Sequence, residues 1–209
     1  MSGRIYYIFG LQRSGTNFVE ELIKLNYGHR KINNAAIWKH SVIPPEIEND
    51  TPLILIHKNP YTWIESICFR NEVDWKKKQT NYIITNESDE DLKAGKNGYS
   101  VKVLAQAYND FHINWYERIK TANAYIIKYE DLLEKEGTDR LISDLNSKFN
   151  WKNSKNIIPT RVSQSSDYTR LRGEYYKTQT PRELTAYQIQ AISNVITNEV
   201  FELNQYQKL

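Results

Sequence analysis

Short apolar runs and amphipathic stretches take turns along this chain, and each change of period marks an element. Tyr6–Phe9 is a brief aromatic and β-branched run stopped by Gly10, which predicts a buried strand. Phe18, Leu22 and Leu25 then recur at helical spacing with Val19 and Ile23 beside them, which predicts an amphipathic helix from about Thr16. Leu53–His57 is a second continuous apolar run. Asn59-Pro60 follows it, a good cap and a good first helical residue, so a helix is expected from Pro60 towards Arg70. Val103–Ile119 reads as a long helix and Tyr125–Lys128 as a third strand. Thr138 is expected to cap a helix carrying Leu141, Ile142, Leu145 and Phe149. Thr180-Pro181-Arg182-Glu183 reads as a capping box that opens a final helix through Leu184, Tyr187, Ala191 and Val195.

Strands alternating with helices predict an α/β fold. It is expected to have three layers, a central parallel sheet with helices on both faces, in a single domain over 1–209. Ligands of such sheets bind outside the carboxyl ends of the strands. Gly10, Lys58 and Tyr129 stand at the three predicted ends, so three separate stretches point to one crevice. Asn71–Ser100 breaks the rhythm. It holds Trp75-Lys76-Lys77-Lys78, the acidic run Glu87–Asp91, and then Gly95 and Gly98. A stretch this long without clean periodicity is read as a lid or acceptor-binding insertion that moves on binding.

The first strand, loop and helix carry the sharpest chemical signal, in IYYIFGLQRSGTN over Ile5–Asn17. A tight loop between a strand and a helix turns backbone N–H groups and a helix N-terminus towards an anion. The spacing Gly10-x4-Gly15 is that of a nucleotide-binding P-loop. In ATP- and GTP-using proteins that loop continues with Lys and then Ser or Thr, which reach the β/γ-phosphates and Mg²⁺. Here Thr16 and Asn17 follow Gly15, and the cation stands earlier, at Arg13. The first unit is thus P-loop-like, without the usual equipment for metal-assisted γ-phosphate transfer.

Composition narrows the setting. The 209 residues are 40% hydrophobic and 25% charged, which is globular rather than disordered. A net charge of +3 is too small for a strong nucleic-acid field but fits a local basic pocket for a small polyanion. Cys68 has no partner for an internal disulfide. No run approaches the ~20 apolar residues of a membrane span, and no apolar signal region precedes the first strand. A soluble cytoplasmic protein with no membrane span and no nucleic-acid partner is expected.

Taken together, these residues resemble the sulfotransferases that use 3′-phosphoadenosine 5′-phosphosulfate (PAPS). Their first loop reads Pro-Lys/Arg-Ser-Gly-Thr-Thr, and here Gln12-Arg13-Ser14-Gly15-Thr16-Asn17 has the cation in the same place. Their second motif reads Arg-Asn/Asp-Pro with a serine eight residues after the arginine. Here Lys58-Asn59-Pro60 follows LILIH, and Ser66 stands at that spacing. Lys-x-His before the second strand is matched by Trp38-Lys39-His40, and Tyr-Glu-Asp-Leu by Tyr129-Glu130-Asp131-Leu132. Arg172-Gly173, Tyr176-Lys177 and Thr180-Pro181 are similar to a shortened version of the family's C-terminal loop. Two departures stand out: Lys58 replaces the usual arginine and loses its bidentate fork, and Lys39-His40 lacks the intervening residue.

The resemblance implies two anion sites about one nucleoside apart. Arg13, Ser14, Gly15, Thr16 and Asn17 would hold the 5′-phosphosulfate. Arg13 would also stabilise charge on the bridging oxygen. Lys58, Ser66 and the loop of Arg172 and Gly173 would hold the 3′-phosphate, with Phe18 and Tyr129 stacking on adenine. His40, with a reference pKa near ~6.5, is the candidate general base, and Lys39 would stabilise the transferring sulfuryl group. If that segment is extended, the two point to opposite sides. No metal is expected. The acceptor is a small molecule or a glycan hydroxyl, recognised by Trp38 and the insertion. His29, His57 and His112 are read as structural. Two other classes stay open: a small-molecule or nucleoside kinase with a degenerate P-loop, and a nucleotide-binding module without chemistry.

Overall fold

This computed structural model describes residues 5–32, 38–69, 88–95, 98–152, 155–159 and 180–209. The chain is α/β, with a central parallel sheet of four strands and several helices. It divides into two compact units, Met1–Lys58 with Trp115–Thr178, and Asn59–Asn114 with Gln179–Leu209.

The first unit holds the sheet. Its strands are β1 (Ile5–Gly10), β2 (Arg30–Lys31), β3 (Leu53–His57) and β6 (Ala124–Lys128), in the order β2-β1-β3-β6 and all parallel. Every residue of β3 is buried, as a central parallel strand with both faces covered requires. Alternation along β1 sorts its side chains. Tyr6 and Ile8 enter an apolar core with Phe18, Val19, Leu22 and Ile23 of α1 (Thr16–Tyr27), and with Leu141, Ile142, Leu145 and Phe149. Phe9 points the other way, its ring centroid 4.2 Å from that of Trp115. Helix α1 ends at Gly28, which is left-handed at φ 63° and donates its N–H to the Lys24 carbonyl.

This strand order sets the position of a site. After β1 the chain runs to β2 on one side, and then to β3 on the other. The order therefore reverses between β1 and β3, and the crevice lies beyond their carboxyl ends, Gly10 and His57.

The second unit contains α2 (Pro60–Cys68), the antiparallel pair β4 (Lys93–Ala94) and β5 (Tyr99–Ser100), α5 (Ala186–Val195) and α6 (Asn198–Leu203). A long helix, α3 (Val101–Ile119), contributes residues to both units. Asn59 caps α2 as expected, its side chain accepting the N–H groups of Tyr61 and Thr62, with Pro60 in the first turn. Of the 71–100 stretch, the described part is a 3₁₀ turn at Glu90–Leu92 and the β4–β5 pair. Trp75–Lys78 and Glu87 lie outside the described residues.

Three sequence expectations are corrected. Helix α4 (Lys135–Phe149) starts before Thr138, which is not its cap: the Thr138 N–H and hydroxyl both donate to the Glu134 carbonyl one turn back. The C-terminal capping box is Thr185 with Gln188, not Thr180 with Glu183. The buried Glu65 carboxylate takes the N–H groups of Arg182 and Glu183, and so holds that stretch short of the helix. Nor is that helix the final one, since α6 follows it. No helix among the described residues is long and apolar enough to cross a membrane.

Candidate functional site

The loop between β1 and α1 is built from backbone constraints. Arg13 and Gly15 both have positive φ, 69° and 92°, and Ser14 between them does not. Alternation of this kind turns successive N–H groups towards one concavity, the backbone arrangement of anion nests. The Ser14 N–H closes the turn on the Leu11 carbonyl at 3.1 Å. Gly15 is the N-cap of α1 and brings no side chain to satisfy the first turn. The N–H groups of Gly15, Thr16 and Asn17 therefore have no acceptor among the described residues. The helix dipole adds partial positive charge at the same point.

Two glycines in this loop have no substitute. A Cβ on Gly15 would lie 2.7 Å from Tyr129 Cδ2, and the backbone there is left-handed as well. A Cβ on Gly10 would lie 2.6 Å from Ser14 Oγ and 2.8 Å from the Ile56 carbonyl oxygen. Ser14 is 1% exposed, and its Oγ has no hydrogen-bond partner among the described residues. Arg13 is exposed, with no ion pair to any described residue. Its left-handed backbone costs about 1 kcal/mol for a residue with a side chain.

A second segment is tied to the same loop. Trp38–Ser41 is a turn, closed by the Ser41 N–H on the Trp38 carbonyl, and not an extended stretch. The Gly10 N–H donates to the Lys39 carbonyl, and His40 Nδ1 donates to the Gly10 carbonyl. Trp115 Nε1 donates to the Ser41 carbonyl at 2.9 Å. Lys39 Nζ donates to Asn17 Oδ1 and, at 2.7 Å, to Glu20 Oε1. Lys39 and His40 thus both reach the C-terminal end of β1.

His40 is half-buried, its ring against Gly10 and perpendicular to the Trp38 ring. A carbonyl only accepts, so the Gly10 bond keeps the proton on Nδ1 and leaves the lone pair on Nε2. Burial pushes the His40 pKa down to about 4; the Gly10 carbonyl opposes this, Lys39 adds to it, and Glu20 opposes it. The neutral ring is therefore the form present at neutral pH. Burial also lowers the Lys39 pKa, against the hydrogen bond and charge of Glu20.

Tyr129 links this loop to the end of β3. Its ring edge packs on Gly15, and Lys58 Nζ lies 5.0 Å from its centroid. Lys58 is buried, at 2% exposure. Tyr129 and Phe18, expected to stack on a nucleobase, are both buried. Tyr129 is 5% exposed against Gly15, and Phe18 is 2% exposed in the core under α1. Ser66 belongs to the second unit, where it is buried and its hydroxyl donates to the Trp63 carbonyl at 2.6 Å. Arg172 and Gly173 lie outside the described residues.

Glu20 is the site residue that sequence reasoning missed. Its two oxygens bind Lys39 at 2.7 Å and Lys31 at 2.9 Å. Its position three residues after Asn17 on α1 was visible in the sequence, but its partners come from two other segments. Among the described residues, no cluster of His, Cys, Asp and Glu could hold a metal ion.

Arg13→Gly separates strain from charge. The variant is expected to gain about 1 kcal/mol of stability from the relaxed φ, and to bind inorganic sulfate or phosphate several-fold more weakly. Chemical denaturation and calorimetry check both signs. His40 makes a stability prediction too. Between pH 6.5 and about 4, the unfolded chain takes up a proton that the folded chain refuses. Its contribution is complete above 6.5 and is lost as the pH falls towards 4. His40→Gln should flatten part of the acid slope of the urea midpoint in that window; an unchanged slope would contradict the assigned protonation.

No protein-family model matches this chain, and neither a curated protein nor a solved structure does.

Proposed function

We propose that this chain is a PAPS-dependent sulfotransferase, with the β1–loop–α1 unit as a P-loop variant that takes the 5′-phosphosulfate. The observation that carries the reading is the pairing of an uncapped helix start with a histidine oriented by that loop's first glycine. The Gly15, Thr16 and Asn17 N–H groups, Ser14 Oγ and the Arg13 guanidinium would receive the donor oxygens. Lys58, beyond the Tyr129 ring, supplies a second cation for the 3′-phosphate.

In the proposed reaction an acceptor hydroxyl oxygen attacks sulfur, and the bond from sulfur to the bridging phosphate oxygen breaks. The hydroxyl proton goes to His40 Nε2, which is unprotonated at neutral pH. The electron pair stays on the phosphate, where Arg13 and the α1 N-terminus stabilise it. A sulfate ester and 3′-phosphoadenosine 5′-phosphate leave. Lys39, held by Glu20 and Asn17 beside the loop, would meet the sulfuryl oxygens. A glycan or other small-molecule hydroxyl is the proposed acceptor, with Trp38 beside the base as a contact surface.

The kinase reading is weaker. Asn17 occupies the position of the Mg²⁺-holding hydroxyl, and its side-chain oxygen accepts from Lys39.

Calorimetry with 3′-phosphoadenosine 5′-phosphate and with ATP tests the nucleotide class. The doubly phosphorylated nucleotide should bind at least tenfold more tightly, and Arg13→Ala should abolish that binding. With radiolabelled PAPS and an acceptor panel, transfer should survive EDTA. It should fall by 10²-fold or more in His40→Ala, with nucleotide affinity unchanged. Preference for ATP with strict metal dependence would shift the reading to a kinase. Tight nucleotide binding without transfer to any acceptor would shift it to a binding module.

A further inference from the structure

Glu20 sits at the centre of a three-charge chain beside the loop. Lys31 comes from β2, Glu20 from α1 and Lys39 from the Trp38–Ser41 turn. The side chains of all three are between 22% and 24% exposed, so water screens them only in part. The two lysines use different oxygens of one carboxylate. Lys39 spends a further donor on Asn17, inside the first turn of α1. The ammonium is therefore fixed from two sides over the helix start, and Lys31 competes for the group that fixes it.

We infer that Glu20 is a positioning residue that holds the Lys39 ammonium in place for the anion taken by the β1–α1 loop, with Lys31 as the charge that tempers its grip. The inference rests on the proposed anion-binding reading of that loop. The groups facing Lys39 are Glu20 from α1, Lys31 from β2 and His40 from its own turn, and the buried Tyr6 of β1 faces Glu20. Burial favours the neutral amine at Lys39. Glu20 opposes that, and Lys31 reinforces it.

The two partners therefore have opposite signs. Glu20→Gln removes what keeps Lys39 charged, so Lys39 should lose its proton at lower pH. Lys31→Met removes a like charge and frees Glu20 for Lys39, so the proton should leave at higher pH. A role in fold stability alone would not move one titration in opposite directions.

Two readouts keep this inference distinct from the proposed function. The first follows the side-chain methylene resonance of Lys39 through alkaline pH in the ligand-free protein, assigned by its absence in Lys39→Arg. Its midpoint should move down in Glu20→Gln and up in Lys31→Met. If both variants titrate as the parent does, or move the same way, the inference is overturned and the proposed function is untouched. The second is the affinity for 3′-phosphoadenosine 5′-phosphate as a function of pH. Glu20→Gln should lose about tenfold at alkaline pH, less at neutral pH, and Glu20→Asp should recover part of the loss. A loss independent of pH would overturn the positioning role. Absence of binding by the parent protein at any pH would overturn the proposed function, and the resonance titration would still decide the charge relation.

Discussion

The site depends on Gly15 having no side chain. Its backbone is left-handed, and the Tyr129 ring stands where a Cβ would be. The residue that starts α1 therefore cannot cap it. Most helices answer their first N–H groups with a Ser, Thr, Asp or Asn side chain. In this same chain Asn59 does so for α2, and Thr185 for α5. At α1 the donors meet no acceptor among the described residues, at the reversal point of the strand order, beside an exposed arginine and a buried serine hydroxyl. Helix α4 also begins without a side-chain cap; an uncapped start beyond the carboxyl end of β1 has a cost that a bound anion would offset.

Gly10 carries the constraint into the second segment. Its N–H and carbonyl both bond to the Lys39–His40 pair, so the loop and the histidine share one anchor. That carbonyl also fixes the tautomer. In many hydrolases a carboxylate orients the catalytic imidazole and favours its protonated form. Here the orienting group is a neutral carbonyl; burial pushes the His40 pKa down to about 4, and the Gly10 bond opposes that only in part. The ring is therefore unprotonated at neutral pH, with its lone pair on Nε2.

Much of the fold was legible because its signals are local. The apolar runs at Tyr6–Phe9, Leu53–His57 and Tyr125–Lys128 became parallel neighbours, and Asn59-Pro60 opened a helix as read. The errors came where a distant group replaced a local one. Thr180 looked like a cap until Glu65, more than a hundred residues away in sequence, took the N–H groups that followed it. Thr138 bonds back to Glu134, a choice open to any threonine inside a first turn. At the site, the glycines and Arg13 stood out by spacing. Glu20 did not, because a charge on the polar face of a helix is ordinary until Lys31 and Lys39 arrive from elsewhere. Phe18 follows the core periodicity of α1 and is buried in the core under it.

The central claim is that the open N–H groups at the start of α1 are the recognition element for an anionic ligand. Backbone amide resonances followed during titration with 3′-phosphoadenosine 5′-phosphate test it most directly. The account predicts that Gly15, Thr16 and Asn17 shift downfield and saturate with the binding isotherm. Saturable binding that leaves those three amides unmoved would contradict it.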